Sequence, residues 1–246
     1  MSEVLLGDGI AGLESLDEGE AGLILSDLPS GATRAEFDRP IDLRRFWPAA
    51  WRALRHGGNV VLMASSFEYA FALATSCFQW FRYDLVWSKS AATGHLNSAS
   101  RPLRAHEFVL VFSREGDATY HVQMQEGATP IHRARRSGHG ENYKPATRPT
   151  DSRAGATDRF PVSVLEFASV GTSSKDRVHP QQKPEEMLRW LVRSYSDVGD
   201  LVVDPCAGSG SAGRSALAEG RRFKGWDLSP RFGASLGGVG HATGEV

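Results

Sequence analysis

The chain has 246 residues, of which 41% are apolar and 23% charged, and its formal net charge is −1. This composition is ordinary for a globular protein with one α/β domain, and it excludes a globally basic nucleic-acid binder. The two cysteines, Cys77 and Cys206, are too few for a disulfide framework and show no metal-ligand spacing, so we expect no metal site.

The first residues carry no recognisable targeting signal. Residues 1–19 are acidic and interrupted by glycines, and no apolar run reaches the roughly 18 residues that a membrane span needs. We therefore expect a cytoplasmic protein that does not contact a membrane.

The first half of the chain alternates between strand and helix patterns. Apolar runs at 4–6 and 23–25 predict strands, and the second run ends in Ser26 and Asp27. A carboxylate at the carboxyl end of such a strand is either a ligand-contacting group or a strand-ending turn. Further helices are predicted over 41–55, with a kink or break at Pro48, and over 67–80. Further strands are predicted over 59–64, 83–87 and 107–112.

Two polar stretches follow, and both contain basic residues. The segment 88–106 is predicted to be a long functional loop or a plain surface loop, and it carries Lys89, Arg101 and Arg104. Between 131 and 153 there are six Lys or Arg against two acids. That stretch is either a solvated, disordered insertion or a segment that contacts nucleic acid.

The last regular region contains a glycine-rich turn. After predicted structure at 160–167 and a helix at 185–194 that starts on Pro184, residues 201–210 read LVVDPCAGSG. A strand, a glycine turn, a helix and a strand ending in Asp227 form a nucleoside-binding βαβ layout. A dinucleotide domain begins with this turn and needs more strands after it, whereas only the last 19 of 246 residues follow Asp227. The other strands must come from upstream, so the sheet is permuted.

Four segments in a fixed order carry a family resemblance: SDLPSG at 26–31, WSKSAATGHLNSASRPLRAHEFVLVFSR at 87–114, HPQQKP at 179–184 and DPCAGSG at 204–210. This order resembles the β class of S-adenosylmethionine-dependent DNA amino-methyltransferases, over about residues 5–232. The resemblance implies an α/β, Rossmann-like, doubly wound and mostly parallel seven-stranded sheet in permuted order, with one antiparallel strand and an irregular basic insertion.

The resemblance also implies a division of the chain. Residues 1–112 form the catalytic half of the methyltransferase domain, 113–159 a target-recognition insertion, 160–232 the cofactor-binding half, and 233–246 a flexible tail. Double-stranded DNA is the implied partner, and a homodimer is possible because members of this class often dimerise.

The implied site residues fall into three groups. S-adenosylmethionine would contact the glycine turn through its methionine part, Asp227 through its ribose hydroxyls and Asp8 near its adenine, with Lys183 and His179 closing over it. The resemblance assigns catalysis to Asp27, Leu28, Pro29 and Ser30; cofactor binding to Asp8, His179, Lys183, Asp204, Cys206, Ala207, Gly208, Gly210 and Asp227; and DNA contact, supported by the basic stretches, to Lys89, Arg101, Arg104, Arg133, Arg135 and Arg136.

The implied reaction transfers a methyl group to the exocyclic amine of a flipped base. Asp27 in the first catalytic position favours N6 of adenine, and N4 of cytosine is the alternative. Ser30 replaces an aromatic residue that stacks on the base in related enzymes, so either Phe37, Trp47 or Trp87 substitutes or base capture is weaker. The alternative hypotheses are a catalytically impaired DNA-binding relative, an RNA or small-molecule methyltransferase, and a nicotinamide-dependent oxidoreductase.

Overall fold

Ten strands and five α-helices make up the regular structure of the described residues. The computed structural model describes residues 2–31, 38–114, 116, 118–127, 155–170 and 182–229. Short 3₁₀ turns at Phe78–Trp80 and His95–Asn97 accompany them. In chain order the elements are β1 (Ser2–Leu6), α1 (Gly9–Ser15), β2 (Ala21–Ser26), α2 (Leu43–Ala53), β3 (Leu54–Ala64), α3 (Phe67–Ser76), β4 (Phe81–Thr93), β5 (Arg104–Phe112), β6 (Gln125–Glu126), β7 (Asp158–Arg159), β8 (Val164–Phe167), α4 (Glu185–Tyr195), β9 (Leu201–Asp204), α5 (Ser211–Ala218) and β10 (Arg222–Asp227).

The chain divides into two compact units. The larger unit comprises Met1–His121 and Ser163–Val246, and the smaller one comprises Val122–Val162. Within the smaller unit, β6 and β7 pair antiparallel, with Gln125 opposite Arg159. In the described part of the chain, no helix is long and apolar enough to cross a membrane.

The larger unit is built on one sheet with the strand order β1-β10-β9-β2-β3-β5-β4-β8. Strand β5 runs antiparallel to both β3 and β4, and every other neighbouring pair is parallel. The predicted fold class, a mostly parallel sheet in permuted order with one antiparallel strand, is confirmed. Among the described residues the sheet has eight strands rather than seven, because β8 pairs with the outer edge of β4.

Alternating side chains on the central strands face two separate cores. On β2, Ile24 packs in a core with α1, α2 and α3, whereas Leu23 and Leu25 pack in a second core with α4 and α5. Because successive residues of a strand point to opposite faces, a strand that is apolar at every position lies between two helical layers. This arrangement is the predicted doubly wound architecture.

The sheet changes its winding direction between β9 and β2. From β9 the chain passes through α5 to β10 on one side, and from β2 it passes through α2 to β3 on the other side. Connections that diverge from two neighbouring parallel strands open a crevice at their carboxyl ends, where α/β sheets bind ligands. Ser26 ends β2 and Asp204 ends β9, so both lie at this crevice.

Two predictions about individual elements were wrong. The segment 88–106 is not one long loop, because β4 continues to Thr93 and β5 begins at Arg104, leaving only residues 94–103 as the connection. Backbone hydrogen bonds between antiparallel strands hold this polar extension without an apolar core. Pro184 is the N-cap of α4 rather than its first residue. Helix α2 is continuous from Leu43 to Ala53 with Pro48 inside it, which excludes a break there, and a kink at Pro48 stays a prediction.

Candidate active site

The carboxylate of Asp204 joins the ends of β9 and β2. Its Oδ1 atom accepts hydrogen bonds from the Ser26 hydroxyl at 2.6 Å and from the backbone N–H of Cys206 at 3.0 Å. Burial raises the pKa of the Asp204 carboxyl to about 7, although those two hydrogen bonds favour the charged form. Among the described residues no cation forms an ion pair with Asp204, so its negative charge is uncompensated within that part of the chain.

The glycine turn lies directly against the end of β10. Gly208 and Gly210 have φ values of +49° and +70°, a left-handed conformation that glycine adopts without strain. The backbone N–H of Gly208 donates to Oδ2 of Asp227 at 2.9 Å, and the N–H of Ser229 donates to Oδ1 at 2.7 Å. A carboxylate has about four acceptor positions, so these bonds orient Asp227 and leave it able to accept ligand hydroxyls.

Asp8 lies at the same edge of the sheet. Its side chain caps α1 by accepting from the N–H of Ala11 at 2.9 Å, and the N–H of Gly7 donates to the backbone carbonyl of Asp227 at 2.9 Å. A Cβ atom on Gly9 would lie 1.8 Å from the carbonyl oxygen of Pro205. Only glycine therefore lets α1 approach the turn that follows β9.

These groups fit an amino acid joined to a nucleoside. Asp204 offers a buried, uncompensated carboxylate to an ammonium group, and Asp227 offers an oriented carboxylate to ribose hydroxyls. The glycine turn between them, which includes Ala207 and Gly208, has little side-chain bulk. S-adenosylmethionine carries an ammonium, a sulfonium methyl and a nucleoside, and this residue set matches its ammonium and its ribose. In the described part of the chain, no group of three or more metal-ligating side chains is present.

The predicted catalytic segment starts immediately after β2. Asp27 forms an ion pair with the ammonium of Lys183 at 2.8 Å, and its side chain is 27% exposed. Leu28 is buried in the core, and the carbonyl oxygen of Pro29 accepts a hydrogen bond from the Tyr69 hydroxyl at 3.1 Å. The hydroxyl of Ser26 donates to Asp204, whereas the carboxylate of Asp27 pairs with Lys183.

A row of four alternating charges runs from this segment into the sheet. We call it the ion-pair row: Asp27, Lys183, Glu107 and Lys89. Glu107 accepts from Lys183 at 2.9 Å and from Lys89 at 3.2 Å, and the side chains of Lys183, Glu107 and Lys89 are 9%, 12% and 7% exposed. Burial opposes the charged form of Glu107, but the two ammonium groups outweigh it and lower its pKa. Burial likewise opposes the charged form of Lys183, but Asp27 and Glu107 raise its pKa.

The structure shows the surroundings of two predicted site lysines. The ammonium of Lys89 pairs with Glu107 and its side chain is 7% exposed, so its contact with DNA stays a prediction. Lys183 lies at the catalytic segment, between Asp27 and Glu107, and its assignment to cofactor binding remains a prediction.

The remaining DNA-binding candidates are distributed differently. Arg101 is exposed and Arg104 half-buried at the tip of the β4–β5 hairpin, where Arg104 donates to the carbonyl of Ser65. Both stay predicted DNA contacts. The predictions for Arg133, Arg135, Arg136, His179 and Phe37 lie outside the described residues.

Two site residues were missed by reasoning from the sequence. Glu107 is the first residue of the strand pattern EFVLVF. A charged residue at the start of an apolar strand was the signal that could have identified it as a site residue. Tyr69 follows the strand end at SSFEY, but nothing local to that segment indicates that its hydroxyl reaches Pro29, 40 residues away.

The fold and the site together define a doubly wound α/β protein whose carboxylates at the switch point fit a nucleoside ligand. The chain belongs to the DNA methylase family of N6/N4 amino-methyltransferases, whose sequence model matches residues 36–234. This family is S-adenosylmethionine-dependent.

Individual relatives agree with the family assignment. The Type II methyltransferase M.XycI of Xanthomonas campestris pv. cyanopsidis is 29% identical over 172 residues, covering 70% of this chain and 47% of that protein. The DNA adenine methyltransferase YhdJ of Escherichia coli is 43% identical over 54 residues, which are 22% of this chain and 18% of that protein. The chain thus spans about half the length of the first relative, and the match to the second is a short segment.

Solved structures share the fold. The cytosine-N4-specific PvuII DNA methyltransferase superposes with a TM-score of 0.65 at 17% identity, covering 94% of this chain and 83% of that one. The M1.HpyAVI–SAM complex superposes with a TM-score of 0.61 at 17% identity, covering 96% and 97%.

Proposed function

We propose that this protein transfers a methyl group from S-adenosylmethionine to the exocyclic amine of a base flipped out of double-stranded DNA, with N6 of adenine as the target. The observation that carries the proposal is the 2.6 Å hydrogen bond between Ser26 and Asp204. This hydrogen bond joins the end of β2 to the end of β9. The catalytic segment follows β2, and the turn that fits the methyl donor follows β9, so the two are held close together.

Different residues of the chain would bind the cofactor and activate the target amine. Asp204 and Asp227 would hold the ammonium and ribose of the cofactor, and the glycine turn would border its methionine part. Bound S-adenosylmethionine supplies an electrophilic methyl group. An amine on an aromatic base is a poor nucleophile because its lone pair is delocalised into the ring.

Asp27 and the backbone carbonyl of Leu28 are the groups that would make the amine reactive. Both are acceptors, and hydrogen bonds from the amine to them favour a pyramidal nitrogen with a localised lone pair. Pro29 restricts the backbone on the carbonyl side of Leu28, and Lys183 fixes the Asp27 carboxylate at 2.8 Å.

The choice of base rests on the aspartate in the first catalytic position. Family members with Asp there act mostly on adenine and those with Ser on cytosine, and the similar proteins described above include one named for each base. The buried hydroxyl of Ser26 donates to Asp204, which supports Asp27 rather than Ser26 as the residue in the first catalytic position.

The test is incorporation of labelled methyl groups into unmethylated DNA, followed by identification of the methylated nucleoside by mass spectrometry. N6-methyladenine is the expected product, whereas N4-methylcytosine would overturn the base assignment alone. Cofactor binding without any labelled base would overturn the enzyme assignment and favour the DNA-binding relative that Ser30 suggests. RNA as the preferred acceptor would overturn the DNA assignment.

Asp27→Asn tests the catalytic role directly. The amide keeps the shape of the side chain but is a weaker acceptor and loses the charge that pairs with Lys183. We expect the methylation rate to fall by about 100-fold or more while cofactor affinity stays within a few-fold, since Asp27 lies outside the cofactor turn. A variant that retains the parental rate would contradict this role. A homodimer also remains a proposal, and sedimentation analysis tests it.

A further inference from the structure

Ser30 leaves the catalytic segment without a ring to stack on a flipped base, and two of the three rings predicted to replace it are unsuitable. Trp47 and Trp87 are both buried in the core. Their indole N–H groups donate to the Ser76 hydroxyl at 2.8 Å and to the Phe167 carbonyl at 2.9 Å. Rings fixed in this way inside the two cores do not offer a face to a base.

In the described part of the chain, Tyr69 is an aromatic side chain that contacts the catalytic segment itself. It lies in the first turn of α3, which starts three residues after β3 ends at Ala64, and its backbone N–H donates to the capping hydroxyl of Ser66 at 3.2 Å. Its phenol donates to the carbonyl of Pro29, the residue immediately before Ser30. The ring therefore stands beside the position at which the stacking residue is missing.

The surroundings of Tyr69 place it at the crevice. Burial raises the pKa of its hydroxyl, and the nearby carboxylate of Asp27 adds to this effect, with smaller contributions from Cys206 and Asp38. The phenol consequently stays protonated at neutral pH and remains a donor to Pro29. The residue is only half-buried, unlike Trp47 and Trp87.

We propose that Tyr69 supplies the aromatic surface on which the flipped base stacks, in place of the residue that Ser30 lacks. The hydrogen bond to Pro29 fixes the ring relative to Asp27, so the base would be held between α3 and the catalytic segment. This inference rests on the proposed function. It also explains how a methyltransferase with serine at this position keeps its base-binding surface.

The first experiment compares variants on unmethylated plasmid DNA with tritiated S-adenosylmethionine. Tyr69→Leu removes the ring and should lower kcat/KM for DNA by about 5- to 150-fold, the range expected for one stacked base. Tyr69→Phe keeps the ring and should lose less than Tyr69→Leu. Phe71→Leu is the matched control, because Phe71 lies on the same helix with 59% of its surface exposed, and it should match the parent protein.

The outcomes separate the two proposals. Absence of methylation by the parent protein would overturn the proposed function. With an active parent protein, Tyr69→Leu at the parental kcat/KM would overturn only the role of Tyr69. A Tyr69→Phe variant as impaired as Tyr69→Leu would also overturn it, because the hydroxyl rather than the ring would then be essential.

A second experiment uses the unaltered protein, so it does not depend on any variant folding. After the methylated sequence is mapped, a duplex with 5-iodouracil at the target position is irradiated with the protein and the crosslinked peptide is sequenced. Crosslinking at Tyr69 is the expected result, since stacked aromatic rings react with this base. A crosslink at another residue, or none at Tyr69, would overturn the inference.

Discussion

Replacing Glu107 with glutamine should strongly destabilise the protein, because it removes the central negative charge of the ion-pair row. Lys183 would keep its partner Asp27 at 2.8 Å. Lys89 would keep the Thr93 hydroxyl at 3.3 Å and at most a neutral amide oxygen of the new glutamine among its described side-chain contacts, although its side chain is just 7% exposed. The variant therefore leaves a buried ammonium without a carboxylate.

The size of the effect follows from the burial of the pair. Removing one partner of a buried ion pair costs about 3–5 kcal/mol, because the remaining charge stays desolvated. For a chain of this length that corresponds to a fall in Tm of about 6–20 °C. Thermal unfolding followed by circular dichroism at pH 7, without cofactor, measures it.

A double variant identifies which charge is responsible. Lys89→Met combined with Glu107→Gln removes the orphaned ammonium while keeping a side chain of similar length, and it should recover more than half of the lost stability. If Glu107→Gln stays within about 1 kcal/mol of the parent protein, the row behaves like an exposed ion pair and the reasoning is wrong. A double variant as unstable as the single one would show that Lys89 is not the uncompensated charge.

The stabilisation by Glu107 should also depend on pH. Lys183 and Lys89 outweigh burial and hold the pKa of Glu107 below its ordinary value of 4.5. A carboxyl whose folded pKa is lowered contributes stability that is complete above the unfolded pKa and is lost as the pH falls through the folded pKa. The Tm gap between the parent protein and Glu107→Gln should be constant from about pH 6 to 8 and narrow below about pH 4.5.

Two further substitutions test the cofactor turn. Asp204→Asn should raise the Tm of the cofactor-free protein at pH 8 and weaken S-adenosylmethionine binding, because the Asp204 carboxyl, with a pKa of about 7, is charged and buried there. Because its folded pKa lies above the unfolded value of 3.8, this penalty grows as the pH rises from about 4 to about 7 and is constant above 7, so a Tm gap that does not change between pH 4 and pH 8 would contradict the assignment. Gly9→Ala should cost about 1–3 kcal/mol and lower cofactor affinity, since the added Cβ would collide with the Pro205 carbonyl and push α1 from the turn. Denaturant unfolding and calorimetric titration check both effects, and unchanged values for Gly9→Ala would show that α1 moves freely.

The architecture could be predicted because chain position carries topological information. The nucleoside turn at residues 204–210 follows several strand patterns, which predicts that these earlier strands belong to the same sheet, and β9 does lie between β10 and β2. Asp27 and Asp204 are recognisable because each follows a short apolar run, and strand ends are where such sheets bind ligands. The edge strand β8 adds an eighth member that this pattern did not reveal.

The ion-pair row and Tyr69 could not be predicted, because their roles come from contacts between distant segments. Glu107 and Lys183 are 76 residues apart in the sequence. A lysine in a polar stretch such as 88–106 is predicted to be a surface cation whether or not it forms an ion pair with a distant carboxylate. Burial of Lys89 depends on the pairing of β4 with β5, which extends beyond the apolar residues that signal a strand. Local patterns give the position of a charge but not its partner.

The strand order has a consequence for how the protein is made. Strands β1 and β2 follow each other in the chain, but β10 and β9 stand between them in the finished sheet. A growing polypeptide therefore emerges with a gap two strands wide, and the facing edges of β1 and β2 stay unpaired until β9 and β10 have left the ribosome. Such long-range closure slows folding. Helix α1 also cannot complete its packing before β10 has formed, because Gly12 packs on the indole of Trp226. A nascent chain stalled before Leu201 exposes two edges able to pair with a second chain, so release of the C-terminal strands both completes the sheet and protects it from aggregation.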